Sequence, residues 1–293
     1  MLTSTDTVGS LAGIPVVAQL VNAANSSKLG RKLLDKVLHV HPEAPLPQYH
    51  SHSARQRLAK HMPAPDSAPV ATPETTGRVV LFTTCYGNRN EPDLATDLAA
   101  VFAHNGIALT LAEREKCCGM PKLELGDLDA VARLKEENIP QLLRLVEQGY
   151  DIVAPIPSCV LMFKQELPLM FPDDTAVRRV KARLGKVSYH VPCHLRVQNI
   201  SLKTRDVLKL VPDTTVEVIE RCSGHDGSYA VKSEFRDASM KIARPVIQKV
   251  DGGGADYFSS DCPMAGHQIR SGLADQSREP TPPLKLLRIA YGI

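Results

Sequence analysis

The chain has no tryptophan, and aromatics make up only 4% of its 293 residues. That leaves little material for a platform on which nucleobases could stack. It also lacks a strong charge of either sign. The formal net charge is +3 and the sequence pI about 8.4, and no basic stripe interleaved with aromatics occurs, so no nucleic-acid partner is expected. No apolar run approaches the length of a membrane-spanning helix. The N-terminus lacks the basic region, compact apolar core and cleavage site of an export signal. A cytoplasmic protein is expected, with peripheral attachment to a membrane surface left open. Catalytic motifs are missing too. There is no G-x-S-x-G elbow and no G-x-G-x-x-G after a strand, and Gly252-Gly253-Gly254 is not followed by Lys-Ser/Thr. Hydrolase, dinucleotide-binding and phosphate-loop readings therefore have no foothold. The 32 acidic residues form no distinctive pair.

What the chain does have is a repeated pattern of seven cysteines: Cys85, Cys117-Cys118 and Cys159, then Cys193, Cys222 and Cys262. The gaps agree between the two sets. Thirty-one residues separate Cys85 from Cys117, against 28 between Cys193 and Cys222; 40 separate Cys118 from Cys159, against 39 between Cys222 and Cys262. An odd number of widely spaced thiols in a chain expected in a reducing compartment argues against a disulfide framework and for a metal or cluster site.

Residues 1–77 read as a helical or irregular extension ending in a linker. Lys28 to Leu38 places leucines and valine on one helical face, and residues 61–78 are dense in Pro, Ala, Ser and Thr. From residue 78 the pattern becomes α/β. Val79 to Thr84 is a continuous apolar and β-branched run suited to a buried parallel strand. A helix is predicted over 92–104, a strand over 107–112, a long helix over 127–147 with Pro140 kinking or dividing it, and a strand over 151–156. Residues 78–185 form this first repeat. Residues 186–293 restate it, with strands predicted over 187–191, 215–219 and 256–259 and a helix over 235–250. In both halves each cysteine element follows the carboxyl end of a predicted strand, where open α/β sheets place their binding crevice.

A buried cysteine is often just a small hydrophobe, but seven cysteines at strand ends and none elsewhere exceed that reading. A thiolate-rich zinc site is the next alternative. Zinc normally recruits close C-x-x-C pairs, and this chain has none. Adjacent Cys117 and Cys118 can hardly serve one tetrahedral zinc, whereas adjacent thiolates can bind neighbouring irons. For the first set an iron–sulfur cluster is favoured.

The segments TTCYGN, EKCCGMP, PSCVLMFKQE, YHVPCHLR, RCSGHDGSYAVK and SDCPMAGHQI together resemble the CCG (cysteine-rich) domain family. Its members include the heterodisulfide reductase B subunit, the C subunit of anaerobic glycerol-3-phosphate dehydrogenase and the iron–sulfur subunits of glycolate and lactate oxidation. APLPQY, at residues 44–49, also resembles the segment that follows the ferredoxin domain of the glycerol-3-phosphate dehydrogenase subunits. The resemblance implies two pseudo-two-fold related α/β repeats with mostly parallel sheets. It implies a cysteine-ligated 4Fe-4S cluster, which can be non-cubane, and electron transfer between an acceptor and a redox partner of flavoprotein or ferredoxin type. The implied ligands are Cys85, Cys117, Cys118 and Cys159, with Cys193, Cys222 and Cys262 forming a second centre or completing a shared one.

This sequence departs from the family in three places. Cys222-Ser223-Gly224 replaces Cys-Cys-Gly. Cys262-Pro263-Met264-Ala265 stands where many members have C-x-x-C, and Met162 takes the matching place in the first repeat. The N-terminal ferredoxin-type motifs are missing. The second site has thus lost up to two thiolates. His190, His194, His225 and Asp226 lie beside its cysteines as substitutes, with His225 the strongest candidate and zinc an alternative occupant. For His190 and His194 a hydrogen-bonded loop or surface role is the plainer reading. These departures also motivate a rival function, a zinc-stabilised or apo interaction module that kept the fold without electron transfer.

Overall fold

The computed structural model describes residues 5–66, 77–177, 202–211, 214–227 and 229–292. The first repeat is built on a small parallel sheet of β1 (Arg78–Leu81), β2 (Ala108–Leu111) and β3 (Asp151–Val153), in the order β2-β1-β3. The register sets Val80 opposite Thr110 on one side and Ile152 on the other. The most apolar strand therefore sits in the centre, covered on both faces as parallel sheets require. Its pleat divides the core. Val79, Leu81 and Val153 pack with Leu58 of α4 (Ala54–Lys60) and with Ala95 and Leu98 of α6 (Pro92–His104). Phe82, Ile152 and Ala154 face the other way, toward Val131 and Leu142 of α8 (Leu128–Glu147) and Leu161 of α9 (Pro157–Leu161). Phe82 and Phe163 meet edge to face there, with ring centroids 5.1 Å apart.

The elements start where local chemistry says they should. Asp127 caps α8 by accepting from the Ala130 amide at 3.2 Å, and Pro92 supplies the N-terminal proline of α6. The expected division at Pro140 does not occur; α8 runs on with the proline inside it. Three short helices, α5 (Cys85–Arg89), α7 (Met120–Leu123) and α10 (Leu167–Met170), complete the repeat, with a π-helical turn over Met162–Glu166.

In the second half the described residues carry α11 (Lys203–Leu208), α12 (Arg236–Gly252), α13 (Pro263–Arg270) and α14 (Pro283–Tyr291). The segments 215–219 and 256–259, expected as strands, are irregular here, and no strand is found among the described residues of this half. A strand is defined by its ladder, and the third strand expected in this half, residues 187–191, lies outside the described residues. α12 matches its prediction closely and packs Val246, Ile247 and Val250 against Phe258 and Ile269.

The extension holds α1 (Thr5–Ala12), α2 (Pro15–Ser26), α3 (Lys28–Leu38) and α4, and it is packed onto both repeats. The His41 amide donates to the Val231 carbonyl at 2.8 Å, the Ser233 amide to the His39 carbonyl at 2.8 Å, and Val40 bridges Lys232. Further along, the His50 amide donates to the Arg89 carbonyl at 3.1 Å and the Arg55 amide to Asn88 Oδ1 at 3.0 Å. Among the described residues, no helix is long and apolar enough to cross a membrane.

Candidate metal centre

The cysteines of the first set are held at three places in the fold. Cys85 opens α5, directly after Thr84, whose backbone lies at φ 67°, ψ 158°. That region is nearly reserved for glycine, and a β-branched residue stays there only when its surroundings demand it. The surroundings are specific. Glu115 Oε2 accepts from the Thr83 hydroxyl at 2.6 Å and from the Thr84 amide at 3.2 Å. The Thr84 hydroxyl accepts from the Gly87 amide at 3.0 Å. Glu115 is nearly buried, and its other oxygen pairs with Arg55 Nη1 at 2.7 Å. Burial pushes its carboxyl above the ordinary value, against the opposing pull of the Thr83 bonds and of Arg55.

Cys117 and Cys118 lie buried in the loop between β2 and α7. The long helix α8 clamps that loop. Asn138 accepts from the Lys116 amide at 3.0 Å and donates to the Cys117 carbonyl at 3.1 Å, and Gln141 accepts from the Arg114 amide at 3.0 Å. Gly119 follows at φ 100°, a conformation that suits glycine and lets the chain turn back into α7. Cys159 sits inside α9, buried in the same core as Cys118.

The sheet brings these thiols together across 74 residues of sequence. Cys85 Sγ lies 3.8 Å from Cys117 Sγ. The Cys118 thiol interacts with those of Cys117 and Cys159, and these contacts, with burial, hold its pKa well above the ordinary thiol value. None of Cys85, Cys117, Cys118 and Cys159 is in a disulfide. Among the described residues, no three His, Cys, Asp or Glu side chains are arranged to hold a single metal ion. As donors, four adjacent soft thiols in a mostly apolar setting fit an iron–sulfur cluster.

The second set is only partly described. Cys193, His190 and His194 lie outside the described residues. Cys222 and Cys262 are half-buried, and neither is in a disulfide. The Cys222-Ser223-Gly224 turn is fixed by α12. The Ser239 hydroxyl donates to the Gly224 carbonyl at 2.7 Å and accepts from Gln268 Nε2 at 2.8 Å, while Gln268 Oε1 accepts from Arg236 at 2.9 Å. Cys262 caps α13, and burial pushes its thiol up to about 11. Next to it, Asp261 is buried and its Oδ2 has no hydrogen-bond partner among the described residues.

The two halves meet beside these cysteines. His267 pairs with Glu91 at 3.0 Å, and burial and Glu91 raise the Tyr86 phenol well above its ordinary value, with Cys262 adding to the effect. His225 lines a small pocket with Tyr86, Met264 and His267. Asp226 faces Glu124, whose carboxyl is raised to about 7, first by burial and then by that neighbour. Sequence reasoning did not single out Glu115, Arg55, Asn138, Tyr86, Glu91 or His267. Glu115 was nonetheless visible as the first residue of EKCCGMP.

Thiols gathered past the carboxyl ends of parallel strands, on a chain that repeats the plan, define a cysteine-rich α/β protein. The family model of the cysteine-rich (CCG) domain matches residues 79–164 and again 187–270, and the chain belongs to that family. It is 27% identical over 292 residues to the C subunit of anaerobic glycerol-3-phosphate dehydrogenase of Escherichia coli (strain K12), covering 92% of this chain and 72% of the relative. The B subunit of the fumarate reductase (CoM/CoB) of Methanothermobacter marburgensis is 27% identical over 217 residues, covering 67% of this chain and 42% of that protein. An uncharacterized iron-sulfur protein of Methanocaldococcus jannaschii is 26% identical over 205 residues, with 67% and 42% covered. No solved structure matches the chain.

Proposed function

We propose that the chain is an iron–sulfur subunit of an oxidoreductase, passing electrons between a redox partner protein and an acceptor. One observation carries this reading: Cys85, Cys117, Cys118 and Cys159 form a run of neighbouring thiols, none of them in a disulfide. The family supports it, because its relatives are named as subunits of dehydrogenases and reductases and as an iron-sulfur protein.

The four thiols would hold one 4Fe-4S cluster, of the non-cubane kind if Cys117 and Cys118 bind neighbouring irons. When bound, the cluster supplies one-electron storage. The residues of the chain do the rest. Asn138 and Glu115 orient the two cysteine loops, and the apolar wall of Phe163, Met162 and Val160 keeps water from the thiolates. Loading must displace the thiol protons, and the contacts of Cys118 with Cys117 and Cys159, together with its burial, oppose that at Cys118. Cys193, Cys222 and Cys262, with His225, would form the second centre, for iron or for zinc. The partner is a flavoprotein or a ferredoxin-type protein, and the setting is cytoplasmic.

Anaerobic purification followed by iron and acid-labile sulfide analysis and electron paramagnetic resonance tests this. Iron with sulfide and a paramagnetic signal on reduction or oxidation is expected. Stoichiometric zinc with a silent spectrum would mean an interaction module instead. Cys117→Ser and Cys118→Ser each exchange a soft thiolate for a hard hydroxyl. Each is expected to remove more than about half of the visible absorbance and iron, whereas Cys262→Ser leaves a larger share. The reverse ranking would invert the roles of the two repeats.

A further inference from the structure

Arg55 belongs to the N-terminal extension, 30 residues before the first cysteine, yet its side chain ends on Glu115, two residues before Cys117. Its guanidinium reaches Glu115 Oε1 at 2.7 Å and the Glu113 carbonyl at 3.2 Å. Its own amide is anchored on Asn88 Oδ1 at 3.0 Å, within α5. Glu115, two residues before Cys117, then grips Thr83 and Thr84, the two residues before Cys85. One carboxylate thus ties the Cys85 turn to the Cys117 loop, and one arginine holds that carboxylate in place.

We propose that Arg55 and Glu115 are positioning residues that set the spacing of Cys85 against Cys117, and that the extension controls the geometry of the thiol site through them. The strain at Thr84 is what makes the lock necessary. At φ 67°, ψ 158° the threonine backbone is held against its own preference. Without the Glu115 bonds the turn relaxes toward negative φ and carries the Cys85 sulfur away from Cys117. A glycine at position 84 would tolerate the held conformation without strain, so the device can be weakened at Arg55 and restored at Thr84.

The proposal rests on the thiol site described above, but its test does not require that iron binds. In the full-length, metal-stripped chain, diamide removes one hydrogen from each of two thiols and is itself reduced to the hydrazine, leaving a sulfur–sulfur bond. The rate of Cys85–Cys117 cross-linking, read by mass spectrometry of the linked peptides, reports the spacing of the two sulfurs directly. Arg55→Ala and Glu115→Gln are expected to slow it by at least about fivefold, the loss of roughly one charged hydrogen bond. Arg55→Lys, which keeps the charge without the fork, is expected to fall between. The double variant Thr84→Gly with Arg55→Ala is expected to recover most of the rate, which general destabilisation would not allow. Cross-linking in Arg55→Ala and Glu115→Gln at the unmodified rate overturns the proposal, as does failure of Thr84→Gly to rescue an Arg55→Ala chain that still melts as the unmodified one does. Should either single variant fail to fold, Arg55→Lys and Thr84→Gly decide: Arg55→Lys cross-linking as fast as the unmodified chain, or Thr84→Gly cross-linking slowly, also overturns it. If the chain never takes up iron while these rates behave as stated, the iron–sulfur reading fails and the positioning role stands.

Discussion

Gly224 shows how little room the altered Cys-Ser-Gly turn leaves. Its φ is 71°, and a Cβ added there would lie 2.2 Å from the Ser239 carbonyl oxygen on α12. Both the backbone conformation and the space demand glycine. Gly224→Ala is therefore expected to lower the unfolding free energy by at least about 2 kcal/mol, read from the shift of a urea unfolding midpoint. Gly252 is the control. It ends α12 without a positive φ, and a Cβ added there would meet nothing within 4 Å, so Gly252→Ala should stabilise by about 0.5–1 kcal/mol. Equal midpoints for the two variants would mean that the turn is not held by α12. At this scale the cysteines and Gly224 were legible in the sequence, because their chemistry or stereochemistry is particular to the residue type. Asn138 and Arg55 were not, since neither has any mark in sequence until the fold brings it to a cysteine loop.

Among the elements, α8 links the site to the periphery. It clamps the Cys117 loop through Asn138 and anchors itself at the other side through Lys135. The Lys135 side chain is largely buried, lies 2.5 Å from Asp174 and 2.6 Å from Glu136, and sits over the Phe171 ring. The hydrogen bond from Lys135 holds the Asp174 carboxyl below its ordinary value of 3.8, with burial working the other way. Burial by itself would lower the Lys135 pKa, but the bonds to Asp174 and Glu136 outweigh it and raise the ammonium above 10.5. A depressed carboxyl stabilises the fold above its unfolded pKa and loses that contribution as pH falls through the folded value. A raised ammonium stabilises below its unfolded pKa and loses its share as pH rises through the folded value. Asp174→Asn is thus expected to cost on the order of 1 kcal/mol at neutral pH, Glu136 remaining as a partner. That deficit should shrink as pH falls below about 3.8 or rises above 10.5. A deficit constant over the whole pH range would show that the pair contributes nothing electrostatic. The helix was read well from the sequence because twenty residues of 3.6-residue periodicity outweigh one proline. The segments 215–219 and 256–259, read as strands, carry no ladder among the described residues, because a strand exists only through its neighbour.

Across the molecule, one element stands apart from the core. Lys28 to Leu38 has the apolar stripe of an amphipathic helix, yet α3 buries none of its residues, and Leu29 is 83% exposed. It is attached instead by the helix α2, by the chain that follows it and by Asp35, which accepts from the Ser233 hydroxyl. Its amides are expected to exchange with solvent deuterium at least about a hundredfold faster than those at the centre of α8, which is anchored by Val131, Ile139 and Leu142. Equal protection in the isolated chain would show that α3 is covered, as by a second copy, and concentration dependence of the exchange would identify that case.

The two repeats and the long helices could be read before the fold was known. They are written in residue type, in matched gaps and in periodicities of a few residues, all of which are local. The same reading placed the cysteines after strands, and the segments around those cysteines carried the resemblance to the family. Three features emerged only on folding: Glu115 joins the Cys85 turn to the Cys117 loop, Arg55 reaches it from the extension, and Tyr86, Glu91 and His267 meet beside Cys262. Those contacts join residues far apart in sequence through polar groups that carry no periodicity. Nothing short of packing the sheet, the helices and the extension together brings them within bonding distance.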